Sequence, residues 1–204
     1  MKKLEKTDGK VKMWGFPLVS TSIDQLLNAL QSQVEHADHL AMVVTPNPEQ
    51  VVQAGTDHRL RHFLESADWV LPDGVGLWWA SRILWRRVGQ ARLKQVLPGR
   101  EVVSELLKRV ATRHWKCVLI GGQGYAGHHT AAMLQVNGAA VEWLQGYQRV
   151  TQPSTQEEEI VVQKILAVRP DIVFVAFGAP AQEVWMAEHR ELLEKSGVKL
   201  VMAV

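Results

Sequence analysis

Asp73 is the residue in this sequence best placed to move a proton. It sits in Val70-Leu71-Pro72-Asp73-Gly74-Val75-Gly76, where the apolar run Trp69 to Leu71 reads as a buried strand ended by a Pro-Asp-Gly turn. In a parallel α/β sheet that places the carboxylate at a strand's carboxyl end, where such folds form their ligand crevice. A carboxylate held there accepts a proton from a substrate hydroxyl. A second reading stands beside it: Asp-Gly is a common turn pair, and an Asp before a helix is often its cap. Three other polar clusters fall at the ends of apolar runs. Thr45 and Asn47 offer neutral groups suited to sugar hydroxyls, or they cap the helix begun by Pro48. Gly121-Gly122-Gln123-Gly124 lets backbone amides approach a phosphate at a helix N-terminus, or simply makes a tight strand–helix turn. Gln182 and Glu183 likewise either cap or bind. No Asp-x-Asp pair occurs anywhere, so a nucleotide diphosphate would meet helix dipoles or cationic side chains rather than metal-holding carboxylates.

The elements that must position these residues alternate. Lys10 to Leu18 reads as an N-terminal strand or hairpin, and Thr21 to Asp24 as a capping box opening a helix with Ile23, Leu26, Leu27, Leu30 and Val34 on one face. Leu40 to Val44 is a strand, and helical faces carrying Val51, Leu60, Phe63 and Leu64 lead to the Asp73 strand. A tryptophan-rich helix spans Leu77 to Val88, and a further helix runs from about Arg100 to Thr112. Lys116 to Ile120, Ala140 to Leu144, Asp171 to Phe177 and Val198 to Val204 read as strands, with a helix predicted over Tyr125 to Val136. Ser154 and Glu157 form a second capping box, before a core face of Ile160, Val161, Ile165 and Leu166. Val184, Met186 and Leu193 mark the last helix. This order predicts an α/β fold, a Rossmann-like mostly parallel sheet with helices on both faces. In such a sheet the four polar clusters share one edge.

Composition excludes several classes. With 23 Lys and Arg against 21 Asp and Glu, no strong basic field calls for nucleic acid. The single Cys117, inside an apolar run, rules out an internal disulfide and reads as a buried thiol. The eight histidines include His128-His129 but no His-Glu-x-x-His spacing, so no metal site is expected. The N-terminus lacks a signal-peptide core, and no apolar run approaches the roughly 20 residues that span a bilayer. Trp78, Trp79 and Trp85 share one segment with Arg82, Arg86 and Arg87; core packing, a partner chain or a membrane surface would each use such a helix.

Taken in order, Thr45-Pro46-Asn47-Pro48-Glu49, Pro72-Asp73-Gly74-Val75-Gly76, Pro98-Gly99, Leu119-Ile120-Gly121-Gly122, Gly146-Tyr147 and Gly178-Ala179-Pro180-Ala181-Gln182-Glu183 form an ordered set. Through it the chain resembles the WecG/TagA/CpsF glycosyltransferases (glycosyltransferase family 26) from about Gly15 to Val204. The resemblance implies one catalytic domain over residues 1–204, built from two α/β halves sharing a crevice. It implies an inverting, metal-independent transfer of an N-acetylmannosamine-type sugar from a UDP donor, with no cofactor. The acceptor it implies is N-acetylglucosamine on an undecaprenyl diphosphate carrier, at the cytoplasmic face of the bacterial membrane, in cell-surface polymer synthesis. Asp73 matches the family's proposed general base, with Thr45 and Asn47 as pocket residues beside it. Gly74, Gly121, Gly122, Tyr147, Gly178, Gln182 and Glu183 match substrate-binding positions.

The sequence departs from the family pattern at Ala181, where a basic residue often precedes Gln-Glu, and at Glu101, where many members carry Asp. The family continues past a strand like Val198 to Val204 into a Gly-Gly-x-Phe-Asp segment and a basic, aromatic appendage that closes the site and holds the membrane. These 204 residues are expected to lack it, and self-association through the surface it would cover is a further expectation. Two other functions fit less well: a non-catalytic UDP-sugar-binding module, and a dehydrogenase, which the missing Gly-x-Gly-x-x-Gly disfavours.

Overall fold

A computed structural model describes residues 9–88, 92–122 and 140–204. The chain enters through a hairpin, β1 (Lys10–Met13) and β2 (Phe16–Val19), whose two-residue turn is Trp14-Gly15. Both turn residues have positive φ, 51° and 96°, the backbone that matches strand twist in a two-residue hairpin. Then follow α1 (Ile23–His36), β3 (Ala41–Val44), α2 (Pro48–Gln53), α3 (His58–Ser66), β4 (Trp69–Val70), α4 (Val75–Val88) and α5 (Gly99–Arg113). The rest comprises β5 (Lys116–Gly121), β6 (Ala140–Leu144), α6 (Thr155–Val168), β7 (Ile172–Ala176), α7 (Ala181–Glu188), α8 (Arg190–Lys195) and β8 (Leu200–Ala203). The helix expected over Tyr125 to Val136, with His128-His129, lies outside the described residues, as do Gln123 and Gly124.

The strands form one eight-stranded sheet in the order β1-β2-β4-β3-β8-β7-β5-β6. All neighbours are parallel except the β1–β2 hairpin. Alternation along each central strand feeds two cores, one on each face. Met42, Val44, Val118, Ile120, Val173, Val175 and Val201 point to the face covered by α2, α3, α6, α7 and α8. Ala41, Val43, Cys117, Ile172, Phe174, Leu200 and Met202 point to the face covered by α1 and α5. Strands buried on both sides read as continuous apolar runs, which is why they stood out in the sequence. The fold is the expected Rossmann-like α/β arrangement.

Two local expectations change. The cap of α1 is Ser22, not Thr21: Ser22 accepts from the Gln25 amide, and the Gln25 side chain returns to the Ser22 amide. Thr-Ser-Ile-Asp-Gln contains two overlapping boxes, and the one used places Leu26, Leu27 and Leu30 against the sheet. On α6, only Val161 and Ile165 are buried; Ile160 and Leu166 are 55% and 43% exposed. An i, i+4 stripe is narrow, and the residues flanking it turn away from the sheet. The Ser154–Glu157 box forms as expected, and Cys117 is fully buried, its thiol pushed up by desolvation.

Candidate active site

Four consecutive constraints build a cleft outside the carboxyl ends of β3 and β4. The amide of Leu71 donates to the Val44 carbonyl (2.8 Å), and that of Asp73 donates to the Pro46 carbonyl (3.2 Å). These bonds carry the parallel pairing past the strand ends and tie the Thr45 and Asp73 loops together. Leu97 then donates to the Pro72 carbonyl (3.0 Å), bringing the start of α5 over both loops. Finally the Gly99 amide donates to Asp73 Oδ2 at 3.4 Å. Gly99 is needed for this approach: a Cβ there would lie 2.8 Å from Thr45 Cγ2.

Asp73 thus does not cap the helix that follows it. Its carboxylate reaches the N-terminus of α5, whose own N-cap, Pro98, has no side chain to offer. Gly74, at φ 89°, turns the chain sharply into α4, and Gly76 lets α4 pass Pro48, whose Cγ would be 2.8 Å from a Cβ. The resulting cleft, about 670 Å³, is lined by Thr45, Asp73, Gly74, Val96, Gly99 and Arg100, among others. That volume suits a small-molecule ligand. Asp73 supplies a proton acceptor, and the N-terminus of α5 and Arg100 favour negative charge. No carboxylate among the described residues pairs with Arg100. Sequence reading missed Arg100; the signal was a basic residue directly after Pro98-Gly99, in the first turn of a helix pointing at the strand ends.

Other motif residues are placed elsewhere. Asn47 is exposed and forms a reciprocal box with Gln50: Asn47 Oδ1 accepts from the Gln50 amide, and Gln50 Oε1 from the Asn47 amide, both 2.9 Å. Gln182 and Glu183 are buried. Gln182 Oε1 accepts from the Gly178 amide (3.1 Å), while its Nε2 and Gln50 Nε2 both donate to Glu183 Oε1 (3.2 and 3.3 Å). Glu183 Oε2 has no hydrogen-bond partner among the described residues. Burial pushes the Glu183 carboxyl above the usual range, against the opposing pull of those amide donors. The cluster therefore braces α2 on α7, behind the Thr45 loop.

Tyr147 is buried at 3% exposure. Its hydroxyl donates to Glu158 Oε2 and accepts from Trp185 Nε1, both at 2.8 Å, while Glu158 Oε1 meets His189 Nε2 at 2.8 Å. Gly121 and Gly122 have φ of 94° and 71°, and a Cβ on Gly121 would lie 2.4 Å from the Ala176 carbonyl oxygen. Gly121 is thus required by the approach of β7. Gly178, at φ 78°, has open space where a Cβ would stand. The structure brings Thr45, Asp73 and Gly74 to one cleft, and sets Tyr147, Gln182 and Glu183 in buried networks.

Fold and cleft together define a Rossmann-like α/β protein whose crevice opens at the carboxyl edge of its sheet. The chain matches the Glycosyl transferase WecG/TagA/CpsF family over residues 11–204; it belongs to that family and is a glycosyltransferase. It is similar to an N-acetylglucosaminyldiphosphoundecaprenol N-acetyl-beta-D-mannosaminyltransferase of Staphylococcus aureus (strain MRSA252), 28% identical over 200 residues, 96% of this chain and 72% of that protein. The enzyme of the same name from strain NCTC 8325 / PS 47 is 27% identical over 192 residues, 92% of this chain and 70% of its own.

Proposed function

We propose that this chain transfers an N-acetylmannosamine-type sugar from a UDP donor to N-acetylglucosamine carried on undecaprenyl diphosphate, with inversion and without a metal ion. The observation that carries the reading is Asp73, half-buried in a cleft it shares with Thr45, the Gly99 amide and Arg100. The names of the relatives supply the sugar and the acceptor. Asp73 takes the proton from the acceptor hydroxyl as that oxygen attacks the anomeric carbon. The bond from that carbon to the diphosphate breaks, and UDP leaves with the electron pair. A single displacement inverts the configuration. Arg100 offers a cation to the charge that develops on the leaving group, the Gly99 amide holds the Asp73 carboxylate, and Thr45 orients the sugar beside the base. Asn47, Tyr147, Gly121, Gly122, Gly178, Gln182 and Glu183, which match substrate-binding positions of the family, are not among the residues that line this cleft. The acceptor's lipid places the reaction at a membrane surface; among the described residues no helix is long and apolar enough to cross one.

The test supplies UDP-N-acetylmannosamine and a short-chain polyprenyl-diphosphate N-acetylglucosamine, with and without EDTA. The expected product has the anomeric configuration opposite to the donor's, by NMR, at a rate EDTA leaves unchanged. Retained configuration would exclude the single inverting displacement, and loss of rate in EDTA would bring in a metal ion.

A further inference from the structure

The outward face of α4 is apolar and basic together. Val75, Trp79 and Ile83, at i, i+4 and i+8, are 67%, 59% and 52% exposed, and Trp85 is 45% exposed. Val52 of α2, also exposed, lines a shallow groove with Gly76 and Ala80 beside this ridge. Isolated exposed apolar residues are ordinary, but a contiguous ridge is not. From Val75 to Val88 the helix carries Arg82, Arg86 and Arg87 and no acidic residue. None of these arginines pairs with a carboxylate among the described residues. Instead the Arg82 guanidinium lies 3.8 Å from the Trp78 ring centroid, and that of Arg92 lies 4.9 Å from Trp85. The inner face of the same helix is anchored by Leu77 and Ser81, both buried. Ser81 Oγ accepts from the Leu93 amide at 3.2 Å, and Trp78 Nε1 donates to the Lys94 carbonyl at 3.5 Å.

We propose that this face of α4 docks on an anionic lipid surface, with Val75, Trp79 and Ile83 in the interfacial layer and the arginines on the headgroups. Charge selects the occupant: a second copy would set arginine against arginine, whereas anionic headgroups neutralise all of them. An exposed aromatic–aliphatic ridge rimmed by arginine is the composition that lies in a bilayer interface. Continuity with the cleft supports the same choice. Val75 is both the first residue of the ridge and part of the cleft wall beside Asp73 and Gly74. Docking by this ridge sets the mouth of the cleft at the headgroup layer, where the sugar of a lipid-linked acceptor stands. The assignment of that acceptor rests on the function proposed above; the docking face rests on α4 itself.

The experiment is flotation of the chain with vesicles of phosphatidylcholine, alone and mixed with phosphatidylglycerol, at low and high salt. The wild type is expected to float with the anionic vesicles only, and less so at high salt. Trp79→Ser/Ile83→Ser is expected to lower the partition at least about tenfold, from loss of two interfacial anchors. Arg86→Glu/Arg87→Glu is expected to abolish the salt-sensitive part. Circular dichroism melts serve as the fold control, because these four side chains are outside the core. Equal flotation of both variants and wild type would overturn the proposal, as would no flotation of the wild type. Self-association lost in Trp79→Ser/Ile83→Ser, with no vesicle binding, would assign the face to a second copy and overturn it too. Transfer to the water-soluble short-chain acceptor, measured on the same samples, separates the two claims. Intact transfer without flotation rejects the docking face alone, and flotation without transfer rejects the reaction alone.

Discussion

Two polar regions of this protein draw on the same kind of sequence motif and use it in opposite ways. At the ends of β3 and β4, Thr45, Asp73 and Arg100 open onto a cleft, and Asp73 meets one backbone amide at 3.4 Å. Behind it, Gln50, Gln182 and Glu183 form one buried set, and Tyr147, Glu158, Trp185 and His189 a second, partly buried one, with most polar atoms engaged within the protein. Polar groups that bond one another in the interior hold elements in register. Those left facing a cavity remain available to a ligand. A polar motif at a strand end thus marks the edge where chemistry happens, while the count of bonds already made tells which of its residues perform it.

Substitutions on the closed side should therefore cost stability. The largest effect is expected for Gly121→Ala, where a Cβ would meet the Ala176 carbonyl at 2.4 Å on a backbone of φ 94°. Strain and overpacking together predict a loss of about 2–6 kcal/mol, read by urea unfolding or, if folding fails, as absence of soluble protein. Full stability would mean that β5 and β7 separate easily. Tyr147→Phe should cost about 1–3 kcal/mol, since Trp185 Nε1 is left buried without its acceptor. Its KM for the nucleotide sugar should stay within about twofold, as for a group outside the uniform binding contacts; a larger rise in KM would move Tyr147 to the substrate side of the comparison.

Glu183 offers the smallest and most directional test. Its carboxyl is raised above the usual range by burial. At a pH below the unfolded value, about 4.3, both states are protonated and nothing is lost. As pH rises through the raised folded value, the buried group must ionise and stability falls. Glu183→Gln should therefore gain about 2–4 °C in Tm near pH 8 and nothing near pH 4. A gain at both pH values would point to packing rather than charge.

Much of the fold was legible because its central strands are buried on both faces and its helices announce themselves with caps. The Ser154 box, Pro48 in the first turn of α2 and the alternation of elements all depend on neighbours a few residues apart. The misreadings share a cause as well. Thr21 and Ser22 compete for one helix start, and only the packing of Leu26 and Leu30 decides between them. Ile160 and Leu166 are apolar, but their exposure depends on where α6 meets the sheet. The strand-end clusters were visible, yet their division was not. Glu183 in the first turn of a helix reads as a cap or a ligand contact until α2 is seen to bring Gln50 to it. Arg100 passed unnoticed because its place at the cleft depends on α5 crossing back over the Thr45 and Asp73 loops.

The central claim is that Asp73 performs chemistry rather than holding the fold. Asp73→Asn keeps the shape and an oxygen for the Gly99 amide, while removing the basic carboxylate. UDP binding by calorimetry and sugar transfer to the short-chain acceptor should be measured on one preparation. The account predicts affinity within about threefold of wild type and a transfer rate lower by about 10²–10⁴-fold, the usual contribution of a general base. Transfer at the wild-type rate by a folded, UDP-binding Asp73→Asn would contradict it.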